Sequence, residues 1–379
     1  MTRGVAILGS TGSIGRSALR VLERQREHFH VVALTAYGSA ERLREQAAAV
    51  GASFTGLVNG QGTAHAGGVT ATGPESLVTA ATMNGVDIVL NAIVGAAGLE
   101  ATLAALREGK RVALANKETL VMAGELVCRA AADGGGEIVP VDSEHSAVLQ
   151  CVTGRPDTEL RRLILTASGG PFRVWPAERL RDAQIEEAMR HPTWEMGPKI
   201  TVDSATLANK ALEVIEAHHL FGLGYEDLDV VVHPQSIVHA FAEFVDGSVL
   251  AQMGYPTMEL PILYALTHPN RLPDRSAPTF DPVEAGPLTF EPVRRDDFRA
   301  FTLGVEAGAA GGTAPAAFNA ANEVAVEAFL AGRIRFGEIA DVIEGVLSLH
   351  VPRAARELDD VLSVDRWARE EGAKRCSSR

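Results

Sequence analysis

Val5-Ala6-Ile7-Leu8-Gly9-Ser10-Thr11-Gly12-Ser13-Ile14-Gly15 opens the chain, and the helical pattern after it puts Ala18, Leu19, Val21 and Leu22 on one side. Strand, glycine turn and helix in that order form a phosphate cradle, because the glycines let the backbone approach and the helix N-terminus attracts an anion. The spacing is G-x-x-G-x-x-G rather than G-x-G-x-x-G, so a tight turn that binds nothing stands as the alternative. A second apolar strand, Val31-Val32-Ala33-Leu34, runs into Thr35-Ala36-Tyr37-Gly38-Ser39-Ala40-Glu41-Arg42 with no carboxylate at its tip. An acidic residue there holds the ribose 2′-hydroxyl of NAD, and its lack favours NADP. Ser39 can bond the extra phosphate and Arg42 can reach back to it, although Arg42 and Arg44 suit a solvated helix face equally well.

Working outward, strands are expected at 87–92 and 111–115 with a helix over Leu99 to Arg107 between them, the pattern of a parallel sheet with ligands at its carboxyl edge. The second of these strands delivers Asn116-Lys117-Glu118 to that edge, where Lys117 can neutralise an anion or polarise a hydroxyl. Glu137-Ile138-Val139-Pro140-Val141-Asp142-Ser143-Glu144-His145-Ser146 follows, and in an extended segment Asp142 and Glu144 face the same side. Paired carboxylates suit a hard divalent ion such as Mg²⁺ or Mn²⁺. The structural alternative is that Asp142 or Ser143 caps a helix beginning near His145.

A length of 379 residues implies two or three domains, enough for a large core. The net charge of −13 argues against nucleic acid or an anionic membrane as the main partner, while leaving room for a local phosphate pocket. Cys128, Cys151 and Cys376 are far apart and fit no metal or redox spacing, which points to a reducing compartment. No leader pattern precedes the first strand and no uncharged apolar run is long enough to span a bilayer, so the expected location is cytoplasmic.

The second half carries the chemistry. A strand at Leu163-Ile164-Leu165-Thr166 runs into Ala167-Ser168-Gly169-Gly170-Pro171-Phe172, and a long excursion ends in His191-Pro192-Thr193-Trp194-Glu195-Met196-Gly197-Pro198. It reads as a hinged lid over 168–198, or as a surface loop whose Trp194 packs on the body. Thr201 to Glu213 reads as one helix capped at Asp203 or Ser204, with Asn209, Lys210 and Glu213 on one face. That face suits a phosphorylated substrate beside a cation: Ser204, Asn209 and Lys210 for the phosphate, Glu213 as a third metal ligand. A plain Lys–Glu helix pair is the alternative.

The strand and hairpin pattern over Val230 to Phe244, turning at Asp246-Gly247, makes this part α+β, with His233 and His239 as packing residues. A proline-rich stretch and two helical patterns follow, in which Asn319, Asn322 and Glu323 can cap the substrate pocket or, by default, face water. The expected organisation is α/β: an N-terminal Rossmann-like parallel-sheet domain over 1–142, a central α+β catalytic and dimerisation domain over 143–267, a linker over 268–293 and a helical domain over 294–379.

Taken together, Gly9 to Gly15, Ala115-Asn116-Lys117-Glu118, Pro140 to His145, Ala167 to Arg173, Val202 to Thr206, Asn209-Lys210 with Glu213, and Phe318 to Glu323 closely resemble the 1-deoxy-D-xylulose 5-phosphate reductoisomerase family over essentially the whole chain. The resemblance implies conversion of that sugar phosphate to 2-C-methyl-D-erythritol 4-phosphate, with NADPH and Mg²⁺, Mn²⁺ or Co²⁺, in a homodimer. It puts the metal on Asp142, Glu144 and Glu213. The substrate's phosphate would meet Ser168, Ser204, Asn209 and Lys210, with His191 closing from the lid. Ser143 and Lys117 would meet the substrate's backbone and hydroxyls, and Trp194 would cover it. Gly9, Thr11, Gly12, Ser13, Ile14, Asn116, Glu118 and Gly197 fall to NADPH. Relatives commonly carry Ala-Gly-Lys-Asn after the second strand, where this chain has Ala36-Tyr37-Gly38-Ser39. The lysine that pairs with the 2′-phosphate is missing, which leaves Gly38 and Ser39, or Arg42, to serve that group. Two other functions compete: a plain NADP-dependent sugar-phosphate dehydrogenase, insensitive to chelators, and a nucleotide sensor with no turnover.

Overall fold

Seven parallel strands grow from the opening run: β1 (Arg3–Leu8), β2 (Phe29–Ala36), β3 (Phe54–Leu57), β4 (Ala71–Thr72), β5 (Ile88–Asn91), β6 (Arg111–Leu114) and β7 (Glu137–Pro140). Their order is β4-β3-β2-β1-β5-β6-β7, so the chain winds away from β1 in both directions. A crevice opens at such a reversal, at the carboxyl ends of the strands. The computed structural model describes residues 2–59, 68–194 and 196–377. Helices Ser13–Arg24, Ala40–Val50 and Leu99–Arg107 connect strands as the apolar periodicity requires. β3 reads Phe54-Thr55-Gly56-Leu57 and β4 Ala71-Thr72, and neither is an unbroken apolar run.

This sheet belongs to a unit made of Met1–Thr119, Glu125–Leu149 and Thr257–Pro278. Val5, Ile7, Leu34 and Leu90 are fully buried in its core, and so are Ile262, Ala265 and Leu266 of the late helix Glu259–Thr267. Each of the valine, leucine and isoleucine side chains contributes about 1.5–3 kcal/mol. Arg24 fastens the returning segment by ion pairs to Glu259 at 2.7 Å and to Asp274 at 2.8 Å. The chain expected as a linker from 268 is therefore part of this unit as far as Pro278.

The second unit comprises Leu120–Gly124, Gln150–Pro256 and Thr279–Arg379. Its sheet has the order β11-β10-β8-β9-β12, from β8 (Leu160–Ala167), β9 (Leu228–Val232), β10 (Val238–Phe244), β11 (Val249–Met253) and β12 (Glu291–Pro292). β10 and β11 form the expected hairpin, with φ +85° at Gly247 in its turn. Helices Ala208–Phe221 and Arg299–Ala310 approach closely: a Cβ on Gly304 would stand 2.6 Å from Ala211 Cβ. The α+β stretch and the terminal helices thus share one unit. Among the described residues no helix is long and apolar enough to cross a membrane.

Candidate active site

The glycine turn is built by exclusion. Gly9 has φ +85° and a Cβ there would stand 2.8 Å from Ala92 O, while a Cβ on Gly15 would stand 2.4 Å from Gly9 O. Thr35 O takes the N–H of Gly9 at 3.1 Å and of Ser10 at 2.8 Å, tying the turn to β2. Helix Ser13–Arg24 begins with Gly12 as its N-cap and no side-chain cap bond, and Thr11, Gly12, Ser13 and Ile14 lie at or near its N-terminus. First-turn N–H groups without an internal partner suit a diphosphate. Gly38 and Ser39 lie exposed after β2, Ser39 as N-cap of Ala40–Val50 without a side-chain cap bond.

Asn116 is committed to structure. Its Oδ1 caps helix Lys117–Gly134 by accepting the Thr119 N–H at 3.1 Å, and its Nδ2 donates to Ile93 O at 2.7 Å and to Glu118 Oε2 at 2.9 Å. Lys117, next along and buried, forms an ion pair with Asp142. Burial alone would raise the Asp142 pKa, but Lys117 and His145 outweigh it and hold the carboxyl well below its usual range. His145 Nδ1 stands 3.5 Å from Asp142 Oδ1, and that buried oxygen has no hydrogen-bond donor among the described residues. Ser143 donates to Glu144 at 2.5 Å. One expectation is corrected here: β7 ends at Pro140 and helix Ser143–Val152 starts at once, so strand alternation does not aim Asp142 and Glu144. Asp142 precedes the helix and accepts the Ser146 N–H on its backbone carbonyl at 2.8 Å, while Glu144 lies in the first turn.

In the second unit, Asn209 and Lys210 both donate to Glu213, Asn209 to Oε1 at 2.5 Å and Lys210 to Oε2, so one helix face gathers all three. Lys210 and Glu213 are buried and form an ion pair. The single helix expected over 201–213 is two, Pro198–Thr206 and Ala208–Phe221. Leu207 between them has φ +58° and is buried. Gly197 precedes Pro198, which pre-sets the first helical turn, so Ser204 sits in the last turn of that helix and not at a positive N-terminus.

Ser168 follows β8, and Gly169 and Gly170 then have φ +84° and +66°. A Cβ on Gly170 would stand 2.6 Å from Ser204 O, so this loop lies on the helix that carries Ser204. Ser168 Oγ is 3.1 Å from His191 Nε2, and His191 Nδ1 accepts the Trp194 N–H at 2.8 Å. Most of 168–198 is fastened rather than free. Phe172 is fully buried with its ring edge-on to Phe336 at 4.9 Å, short helices occupy Ala177–Leu180 and Ile185–Ala188, and Arg181 O accepts the Gly337 N–H at 3.1 Å. Among the described residues, 168–176, 181–184, 189–194 and 196–197 carry neither helix nor strand, and Glu195 lies outside the described residues.

Asp203 was legible only as a cap, yet it is buried with Lys199 Nζ 3.0 Å from Oδ2 and Asn322 donating to Oδ1 at 2.8 Å. The four-residue spacing of Lys199 and Asp203 was the one local signal. Asn319 and Asn322, expected to face water, are fully buried because helix Ala314–Leu330 is enclosed on nearly every side. Glu323 pairs with Arg369 at 2.6 Å. His233 is buried in a structural role, its Nδ1 2.8 Å from Thr289 O.

Known proteins match this arrangement throughout. The family model described as 1-deoxy-D-xylulose 5-phosphate reductoisomerase matches residues 5–124, its C-terminal domain matches residues 138–221, and a DXP reductoisomerase C-terminal domain matches residues 253–371. The 1-deoxy-D-xylulose 5-phosphate reductoisomerase of Nocardia farcinica is 50% identical over 373 residues, covering 98% of this chain and 94% of its own. That of Thermomicrobium roseum is 49% identical, covering 97% and 96%. The structure of the Zymomonas mobilis enzyme in complex with NADPH superposes with a TM-score of 0.93 at 41% identity over 100% of both chains. A DOX-P reductoisomerase in complex with NADPH, fosmidomycin and magnesium gives 0.92 at 38% identity over 99% of this chain and 98% of that one. Matched by these family models over most of its residues and by these relatives along nearly its whole length, the chain belongs to the 1-deoxy-D-xylulose 5-phosphate reductoisomerase family.

Proposed function

We infer that the protein converts 1-deoxy-D-xylulose 5-phosphate to 2-C-methyl-D-erythritol 4-phosphate, rearranging the carbon skeleton and reducing it with NADPH, and that Asp142, Glu144 and Glu213 are its metal ligands. The observation that carries the ligand assignment is the acid set itself. Asp142 and Glu144 belong to the first unit and Glu213 to the second, and all three are carboxylates whose oxygens could serve a metal ion. The donors are all oxygen, as Mg²⁺ or Mn²⁺ prefers, and Asp142 keeps a buried Oδ1 clear of hydrogen-bond donors among the described residues. A cation bound there supplies a Lewis acid for the substrate's ketone and hydroxyl oxygens.

The remaining roles fall to residues of the chain. Lys117 keeps Asp142 ionised and stands to meet a substrate hydroxyl, with Ser143 beside it. Asn209 and Lys210 orient Glu213 and, with Ser168, Ser204 and His191, receive the phosphate. Trp194 covers the substrate. The turn from Gly9 to Ile14, with Gly38, Ser39, Asn116, Glu118 and Gly197, serves NADPH, which supplies the hydride. The cytoplasm is the proposed compartment, and a homodimer the proposed assembly. Its support is the edge strand β11, which leaves Val249, Leu250 and Met253 exposed by 50%, 36% and 37% at the rim of its sheet. The deciding experiment is NADPH oxidation with 1-deoxy-D-xylulose 5-phosphate before and after EDTA. Turnover lost to the chelator and restored by Mg²⁺ is expected. Oxidation that EDTA leaves untouched contradicts the ligand set and favours a plain dehydrogenase.

A further inference from the structure

Helix Ala40–Val50 begins at Ser39 and packs its apolar residues Ala40, Leu43 and Ala47 on the core of the first unit. Gln46 stands beside that stripe, about two helical turns after Ser39, so the two share a face. Its amide closes a two-way clasp on the glycine turn: Ser10 Oγ donates to Gln46 Oε1 at 2.8 Å, and Gln46 Nε2 donates to Ser10 O at 3.1 Å. A carbonyl oxygen only accepts, which fixes the amide in this orientation. Ser10 is fully buried, and it gives its N–H to Thr35 O at 2.8 Å. Every polar group of Ser10 is therefore engaged, two of them by one side chain. Thr35 also holds Gly9, whose N–H it accepts on its carbonyl at 3.1 Å and on Oγ1 at 3.2 Å. Loss of Gln46 thus leaves the turn seated on β2 and loosens the helix from it.

We propose that Gln46 is a positioning residue for the cofactor, setting the span between the glycine turn, which takes the diphosphate, and the start of helix Ala40–Val50, where Gly38 and Ser39 take the 2′-phosphate. In NADPH these two anionic groups hang from the 5′ and 2′ carbons of one ribose. Their separation is set by covalent geometry, and the protein has to match it. NADH carries only the first of them and asks for no such match. The proposal rests on the reading of Gly38 and Ser39 as the 2′-phosphate contacts. Methionine has nearly the length of glutamine and keeps the packing, so Gln46→Met removes the clasp alone. Ser10→Ala removes one of its two hydrogen bonds.

The test titrates NADPH and NADH into the full-length enzyme by fluorescence, comparing Gln46→Met, Ser10→Ala and the double variant with the parent. Gln46→Met should weaken NADPH about tenfold, as one misplaced hydrogen bond to a charged group does, and NADH less than about twofold. Ser10→Ala should move the preference the same way by about threefold, the worth of one neutral hydrogen bond. The double variant should match Gln46→Met, because both changes break one contact. A Gln46→Met enzyme that keeps the parental ratio of the two dissociation constants overturns the proposal, and a fall in Tm at that ratio makes the clasp structural only. Should Gln46→Met fail to fold, Ser10→Ala decides by the same ratio. A parent that binds both cofactors equally overturns the 2′-phosphate reading, and the proposal with it.

Discussion

The glycine turn of the first unit and the Asn209–Lys210–Glu213 face of the second both prepare for anionic or charged partners, by opposite means. One works by leaving atoms out: Gly9 and Gly15 bring backbone so close that a single methyl group collides. The other works by crowding polar atoms in, with Glu213 held by an amide and an ammonium at once. A site made of backbone tolerates almost no added volume, whereas a site made of side chains tolerates volume but no change in charge or donor count.

That contrast can be broken by substitution. The largest effect is expected at Glu213→Gln, which keeps the shape and removes the charge: kcat should fall on the order of 10³-fold with NADPH affinity nearly intact. Steady-state kinetics with a fluorescence titration of NADPH decides it, and near-parental turnover removes Glu213 from the ligand set. Gly15→Ala reverses the pattern, since its Cβ would stand 2.4 Å from Gly9 O. It should cost about 1–3 kcal/mol of stability and weaken NADPH binding. A parental Tm together with parental NADPH affinity contradicts the close approach.

Asn322→Ala probes a site built to hold another site, by taking a donor from the buried Asp203 carboxylate. A urea titration should register about 1–3 kcal/mol of destabilisation. The smallest effect is expected at Arg42→Ala, where an exposed cation can add only ~1 kcal/mol or less to the preference for NADPH over NADH. An unchanged ratio of kcat/KM for the two cofactors takes Arg42 out of the account.

Legibility in the sequence followed the same division. Gly9 to Gly15 and the strands β1, β2, β5, β6 and β7 announce themselves because their signals are local, a period or a turn within a dozen residues. Asn209, Lys210 and Glu213 were equally readable, lying within one helical turn. The break at Leu207 was not, because nothing in a leucine marks a left-handed conformation and only tertiary packing selects it. Asn322 and Asp203 lie 119 positions apart, so their pairing had no local trace. The family resemblance supplied roles for Ser168 and His191 that spacing alone left open.

Leu207 has one more effect. A non-glycine residue held at φ +58° is disfavoured by roughly 1–2 kcal/mol, and here the cost is met by interior packing of its side chain. The junction therefore behaves as a fixed gauge between Ser204 and Asn209. One inserted amino acid would swing Asn209, Lys210 and Glu213 together through about 100° and advance them about 1.5 Å. An insertion or deletion at this bend therefore displaces all three side chains at once.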